Sequence, residues 1–91
     1  MKLIECNRRN FDHAVDLLGE AMPQCSFEVG TVYRDWPNVV HETILMTTSG
    51  TKAKIQILTS GEWDDLNEAD DSQIEDFVKK QIPFLLLLNK H

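Results

Sequence analysis

Residues 39–59, VVHETILMTTSGTKAKIQILT, decide the fold because their pattern is typical of two β-strands joined by a tight turn. We predict one strand over Val39–Thr48 and a second over Thr51–Thr59, with the dipeptide Ser49-Gly50 between them. A short connection fixes the register of an antiparallel pair. The pattern therefore predicts a hairpin with one apolar face and one mixed face.

The predicted register pairs Thr48 with Thr51. On the face expected to meet the core, it places Met46 opposite Ala53, Ile44 opposite Ile55, and Glu42 opposite Ile57 at the margin. The mixed face then carries the pairs Leu45 with Lys54, Thr43 with Gln56 and His41 with Leu58. This distribution indicates a sheet covered by helices on a single side.

The segment before the hairpin contains two further elements. Alternation of side-chain type over Ser26–Arg34 predicts another strand. Before it, Asn7 or Asn10 is a suitable N-cap for a helix that Pro23 ends. The apolar positions of this helix recur every three or four residues and are Phe11, Ala14, Val15, Leu18, Ala21 and Met22. A short first strand is expected over Lys2–Cys6.

The segment after the hairpin begins with acidic residues and ends with apolar ones. Ser72 and Glu75 match a capping box and predict a second helix, which Pro83 should close near Gln81. The run Phe84–Leu88 is too short for periodicity to decide, and its Pro and Asn flanks favour a buried strand over a helix.

The element order predicts an α+β fold over residues 1–91 as one domain, β-α-β-β-β-α with or without a final β. Its sheet is expected to be mostly antiparallel, with three to five strands and two helices on one face. The chain has 91 residues, 42% of them hydrophobic and 26% charged, as in ordinary globular proteins. The sequence lacks an apolar signal region, so we expect a cytoplasmic protein in which Cys6 and Cys25 are free thiols.

Charge is concentrated in one segment. Residues 62–76 contain eight carboxylates and no Lys or Arg, and the whole net charge of −6 originates there. The acidic residues are Glu62, Asp64, Asp65, Glu68, Asp70, Asp71, Glu75 and Asp76. This composition favours a basic protein partner and disfavours direct binding to nucleic acid or an anionic membrane.

The acidic segment does not match a calcium loop. With Asp65 as the first ligand, Ala69 falls at a ligand position and Asp70 falls where glycine is required. A protein-binding patch is more consistent with the sequence, because two apolar residues lie among the acids and can serve as an anchor. The predicted partner-binding residues are Trp63, Asp64, Asp65, Leu66, Glu68, Asp70 and Asp71. The alternative is a solvated loop followed by a helix N-terminus.

Three other groups of residues are candidates for function. Tyr33, Arg34 and Trp36 have the composition of an interface hot spot. The apolar run Phe84–Leu88 is either the last layer of the core or a homodimer surface. In an enzyme, His41 and Glu42 with Cys25 are the first groups to inspect, although His41 and Glu42 point to opposite faces of a regular strand.

The sequence predicts no catalytic residue, no metal site and no cofactor. The function it favours is that of a small non-catalytic protein-binding module, such as an inhibitor, an antidote or an accessory subunit. The alternative is an inhibitor that mimics nucleic acid, and a small enzyme ranks third. A mimic requires a long acidic track, whereas an enzyme requires a pocket with a strongly perturbed titratable group.

Overall fold

Three helices and four strands make up the parts of the chain that the computed structural model describes, which are residues 2–34, 39–48, 50–58 and 60–89. In chain order the elements are β1 (Lys2–Ile4), α1 (Arg8–Ala21), β2 (Ser26–Arg34), β3 (Val39–Thr47), β4 (Lys54–Gln56), α2 (Ser60–Glu68) and α3 (Asp71–Leu88). The expected α+β class is confirmed. Helix α2 was not predicted and lies in the acidic segment that was expected to be a loop.

The sheet is built around β3. Strand β2 pairs antiparallel with β3 from Ser26 opposite Thr47 to Arg34 opposite Val39. The other edge of β3 is shared by β1, which runs parallel to its beginning, and β4, which runs antiparallel to its end. The sheet is therefore mostly antiparallel, as predicted.

The predicted register of the hairpin is wrong by two residues. Met46 lies opposite Ile55, and the backbone N–H of Thr48 donates to the carbonyl of Ala53 at 3.2 Å. The connection is longer than a two-residue turn, with positive φ angles at Gly50 (83°) and Lys52 (56°), while Ser49 lies outside the described residues. A shift of two leaves each side chain on its expected face, because side chains alternate with a period of two.

The face of the hairpin that was expected to be mixed is buried at His41, Thr43 and Leu58. In the described part of the chain, neither Nε2 of His41 nor Oγ1 of Thr43 has a hydrogen-bond partner. This side of the sheet is consequently less solvated at its centre than the alternation alone indicated.

Helix α1 begins and ends as its sequence predicts. The side chain of Asn7 accepts a hydrogen bond from the backbone N–H of Asn10, and the cap at Met22 donates its N–H to the carbonyl of Leu18. The buried residues of α1, α2 and α3 share one core with Ile44 and Met46 of β3. The Cα atoms extend over 35 × 31 × 17 Å, and the shortest dimension fits two layers of secondary structure.

Helix α3 starts earlier and ends later than predicted. Asp70 is its N-cap and forms a capping box with Gln73, so the predicted box of Ser72 and Glu75 is wrong by two residues. The expected end near Gln81 and the final strand over Phe84–Leu88 are also wrong, because the helix continues to Leu88. Pro83 removes one backbone donor, but the leucines that follow have high helix propensity and the helix persists.

The apolar run Phe84–Leu88 forms the last layer of the core only at Leu85, which is 2% exposed. The other four side chains are exposed: Phe84 (66%), Leu86 (42%), Leu87 (60%) and Leu88 (42%). A helix presents residues around its whole circumference, whereas the predicted buried strand would have covered these side chains. The end of α3 therefore carries an apolar surface.

Candidate functional site

The acidic groove is a cleft of about 550 Å³ between α2 and α3. Helix α2 and the residue after it provide one wall, and α3 provides the other between Gln73 and Gln81. The lining residues are Glu62, Asp65, Leu66, Glu68, Ala69, Gln73, Asp76, Phe77, Lys80 and Gln81. Two helices thus bring together acidic residues that are separated in sequence.

The electrostatics of the acidic groove are one-sided. Among the described residues that line it are four carboxylates and one cation, Lys80. Asp65, Glu68 and Asp76 are exposed, and the side chain of Glu62 accepts a hydrogen bond from the amide of Gln81. Carboxylates are acceptors and form their strongest hydrogen bonds with cationic donors. The groove is therefore suited to the side chains of lysine and arginine.

The lining of the acidic groove is partly apolar. Phe77 is partly exposed there, beside Ala69 and the buried Leu66. The methylene stems of lysine and arginine pack on such surfaces while their charged ends remain near solvent and carboxylates. A cationic side chain thus finds complementary contacts for both its stem and its charge.

Trp63 does not form the exposed anchor that the sequence suggested. Its ring packs edge-on against Phe11, with centroids 6.0 Å apart and planes at 71°, and its Nε1 donates to the carbonyl of Glu42 at 2.7 Å. Leu66 is also buried. In a helix Trp63 and Leu66 lie on one side, and here that side packs on the core. Their contribution to binding a partner stays a prediction.

The predicted acidic residues fall into two groups. Asp70 caps α3, and Asp71 forms an ion pair with Arg9 at 2.8 Å, so both contribute to local structure. Asp64, Asp65 and Glu68 are exposed and form no ion pair with the described residues. Of these three, Asp65 and Glu68 line the acidic groove and Asp64 does not.

The sequence interpretation missed the second wall of the acidic groove. Gln73, Asp76, Phe77 and Lys80 belong to α3 and were regarded only as parts of a helix. Their spacing of three, four and seven residues places Gln73, Phe77 and Lys80 on one face of a helix, which was a usable signal. What covers that face depends on the tertiary packing of α2.

Basic residues divide the acidic surface outside the groove. Arg8 lies 3.2 Å from Asp12 and 3.9 Å from Glu42, and Lys54 lies 2.8 Å from Glu28. A mimic of nucleic acid was expected to join these carboxylates in one long acidic track. The adjacent cations interrupt that track.

Two of the groups named for a possible catalytic site, Glu42 and Cys25, have other partners. The Sγ of Cys25 donates to Oδ1 of Asn89 at 3.1 Å, while Glu42 accepts from the Sγ of Cys6 at 3.0 Å. Burial, that hydrogen bond and the charge of Glu42 together raise the pKa of the Cys6 thiol from 9.0 to about 12, with burial the largest cause. A thiol that stays protonated is a poor nucleophile.

We predict that Cys6 reacts slowly with iodoacetamide. At pH 8 the raised pKa lowers the thiolate fraction, and modification in the folded protein should be at least about tenfold slower than in the unfolded chain. Glu42→Gln should speed the reaction because it removes the nearby negative charge, whereas Glu20→Gln on α1 should not. Peptide mapping by mass spectrometry separates Cys6 from Cys25, and an unchanged rate in Glu42→Gln would contradict the assignment.

The raised pKa of Cys6 also predicts a loss of stability at high pH. Below pH 9.0 the thiol is protonated in both states, while above it the unfolded chain releases its proton first. This thiol therefore lowers the free energy of unfolding as the pH rises from 9.0 towards about 12.

The second predicted interface comprises Tyr33, Arg34 and Trp36. Tyr33 and Arg34 are the last backbone positions of β2, and Trp36 lies outside the described residues, so the second interface stays a prediction.

Where the structure is described, no group of His, Cys, Asp and Glu side chains is arranged to hold a metal ion. No helix there is long and apolar enough to span a membrane.

Comparisons with protein-family models, with curated proteins and with solved structures found no match to this chain. Inferences about function therefore depend on the geometry and charge of the surfaces described above.

Proposed function

We propose that this protein is a non-catalytic binding module that engages a basic segment of a protein partner through the acidic groove. One observation carries the proposal: the described lining of one cleft combines four carboxylates and several apolar residues with a single cation. The acidic segment is visible in the sequence, whereas the cleft forms only when α3 packs beside α2. An inhibitor, an antidote or an accessory subunit would use such a surface.

The composition of the acidic groove favours cationic side chains of the partner. An arginine that enters between α2 and α3 can pack its stem on Phe77 and reach the carboxylates of Asp65 and Glu68. The exposed carboxylates also increase the rate of encounter with a cationic partner, and salt screens this effect. We therefore expect binding that weakens as ionic strength increases.

Two other functions are less consistent with the geometry. A nucleic-acid mimic needs a continuous acidic surface, and Arg8, Arg9 and Lys54 lie beside the carboxylates that would extend it. An enzyme needs an activated group in its cleft, and the cysteine with a strongly raised pKa lies outside the lining of the groove. We place the binding function in the cytoplasm, where the two free thiols are stable.

Neutralising the groove should weaken binding of a basic peptide. The test uses a fluorescent peptide of twelve Lys, Arg and Ser residues, and fluorescence anisotropy at 50 and 300 mM NaCl. We expect the triple variant Asp65→Asn, Glu68→Gln, Asp76→Asn to raise Kd about tenfold at low salt, because it removes the cationic contacts. The salt dependence of Kd should also decrease.

The matched control removes the same number of charges elsewhere. Asp16, Asp64 and Glu75 are exposed and do not line the groove, so Asp16→Asn, Asp64→Asn, Glu75→Gln should raise Kd by less than about threefold. If both triple variants weaken binding equally, the peptide responds to net charge alone and the groove is not the site.

A further inference from the structure

The end of α3 carries three exposed apolar side chains on one face. Phe84, Leu87 and Leu88 are 66%, 60% and 42% exposed, and their spacing of three and four residues places them together on the helix surface. We call these three residues the apolar end. An exposed apolar cluster of this kind is typical of an interaction surface.

The apolar end continues the wall of the acidic groove. Phe77 and Lys80 line the groove and precede Phe84 by seven and four residues, so all three lie on one face of α3. With a rise of about 1.5 Å per residue, Phe84 lies about 10 Å beyond Phe77 along the helix, and Leu88 about 16 Å beyond it. The groove and the apolar end together form one track.

We propose that this track binds an amphipathic helix of a protein partner, with basic side chains of one half in the acidic groove and large apolar side chains of the other half on Phe84, Leu87 and Leu88. The inference rests on the proposed function and specifies the partner segment. Charge complementarity determines the occupant, since a segment with a cationic half pairs with the exposed carboxylates Asp65, Glu68 and Asp76 of the groove. The length of the track corresponds to about three to four helical turns.

A second copy of this chain fits the same surface less well. If two α3 helices pair antiparallel about Leu86, the two apolar ends cover each other. Phe77 lies nine residues before Leu86, so its counterpart falls beyond Leu88, where the partner's α3 ends. Such a dimer would leave the acidic groove uncovered.

The test compares two labelled helical peptides of eighteen residues by fluorescence anisotropy. Both carry Lys and Arg over the first two turns, but only the amphipathic peptide carries Leu along one face of the last two turns, where the basic peptide has Gln. We expect the wild-type protein to bind the amphipathic peptide at least about tenfold more tightly than the basic peptide, because only the amphipathic peptide buries the apolar end.

Variants of α3 locate the contact. Leu86 and Leu88 are equally exposed at 42%, but Leu86 points to the side of the helix away from Phe77. Phe84→Asn and Leu88→Asn should each weaken the amphipathic peptide about tenfold and leave the basic peptide unchanged, whereas Leu86→Asn should change either Kd by less than twofold. All three variants should retain the wild-type thermal melt.

The outcomes separate this inference from the proposed function. Equal binding of both peptides, or equal effects of Leu86→Asn and Leu88→Asn, would contradict the proposal that the partner segment is amphipathic. Loss of basic-peptide binding in the triple groove variant would still support the groove itself. Sedimentation velocity at about 100 μM should show a monomer. The apolar end would instead bind a second copy if the protein forms a dimer that Leu88→Asn abolishes and Leu86→Asn retains, and if the protein shows no preference for the amphipathic peptide.

Discussion

Asn10→Asp should destabilise the protein by about 4 kcal/mol, because it buries a carboxylate against carbonyl oxygens. Asn10 lies in α1 and is 2% exposed. Its Nδ2 donates to the carbonyls of Ala69 at 2.8 Å and Leu66 at 3.0 Å, with a longer contact of 3.4 Å to Asn67. This one amide satisfies the carbonyl of Ala69, which follows α2, and adds to the contact that the carbonyl of Leu66 accepts from the backbone N–H of Ala69 at 3.3 Å.

The size of the effect follows from the loss of the donor. An ionised Asp has only acceptors, so the substitution replaces two hydrogen bonds with repulsion at nearly constant volume. Asn10→Ala should cost less, about 2 kcal/mol, since it removes the two donated hydrogen bonds without adding charge. Urea denaturation followed by circular dichroism measures both free energies of unfolding.

Asn67→Asp is the matched control for this substitution. Asn67 uses its Oδ1 to accept from the backbone N–H of Asn7, and a carboxylate keeps that acceptor. We expect a change below about 1 kcal/mol in Asn67→Asp. Equal destabilisation in Asn10→Asp and Asn67→Asp would show that the carbonyl contacts of Asn10 contribute nothing specific.

Asn10 also marks the limit of what the sequence predicts. Local pattern identified it only as an alternative N-cap for α1, a role that Asn7 performs. Its carbonyl partners are 56 to 59 residues away, and no local spacing encodes contacts at that separation. By contrast, α1, β2 and β3 were predictable because their periodic apolar positions reflect burial against one layer.

Helix α2 was missed for a physical reason. Its sequence, SGEWDDLNE, is rich in Ser, Gly, Asp and Asn, which have low helix propensity, so its composition resembles a loop. Its nine residues would be marginal as an isolated helix, and packing of Trp63 and Leu66 on the core supplies the missing stability. The acidic segment was therefore visible in the sequence, whereas the groove required α2 to fold against α3.

The end of α3 was mispredicted because the helix propensity of the residues after Pro83 was underestimated. Pro83 was given more weight than the leucines that follow it, although one lost hydrogen bond is tolerated when both flanking segments favour helix. Had the helix been assumed, the spacing of Phe84, Leu87 and Leu88 would have predicted a single exposed face. The homodimer suggested for this run remains a prediction that the α3 variants test.

Trp63→Ala should destabilise the protein by about 3 kcal/mol, because the ring packs on the core and is not a freely exposed anchor. The ring contributes to the contact between α2 and α1 through Phe11, and its Nε1 satisfies the carbonyl of Glu42 in β3. Removal of the side chain leaves a cavity and an unpaired carbonyl, so the melting temperature should decrease by roughly 10 °C or more.

Trp63→Phe separates the two contributions. It retains most of the ring packing and loses only the hydrogen bond, so we expect a cost of about 1 kcal/mol. Because Trp63 packs on the core and is not part of the groove lining, the Kd for the basic peptide should remain unchanged in Trp63→Phe at temperatures where that variant is folded. Asp64→Asn, at the neighbouring exposed position, controls for changes confined to the surface of α2. A stable Trp63→Ala with weakened peptide binding would restore Trp63 as an interface anchor.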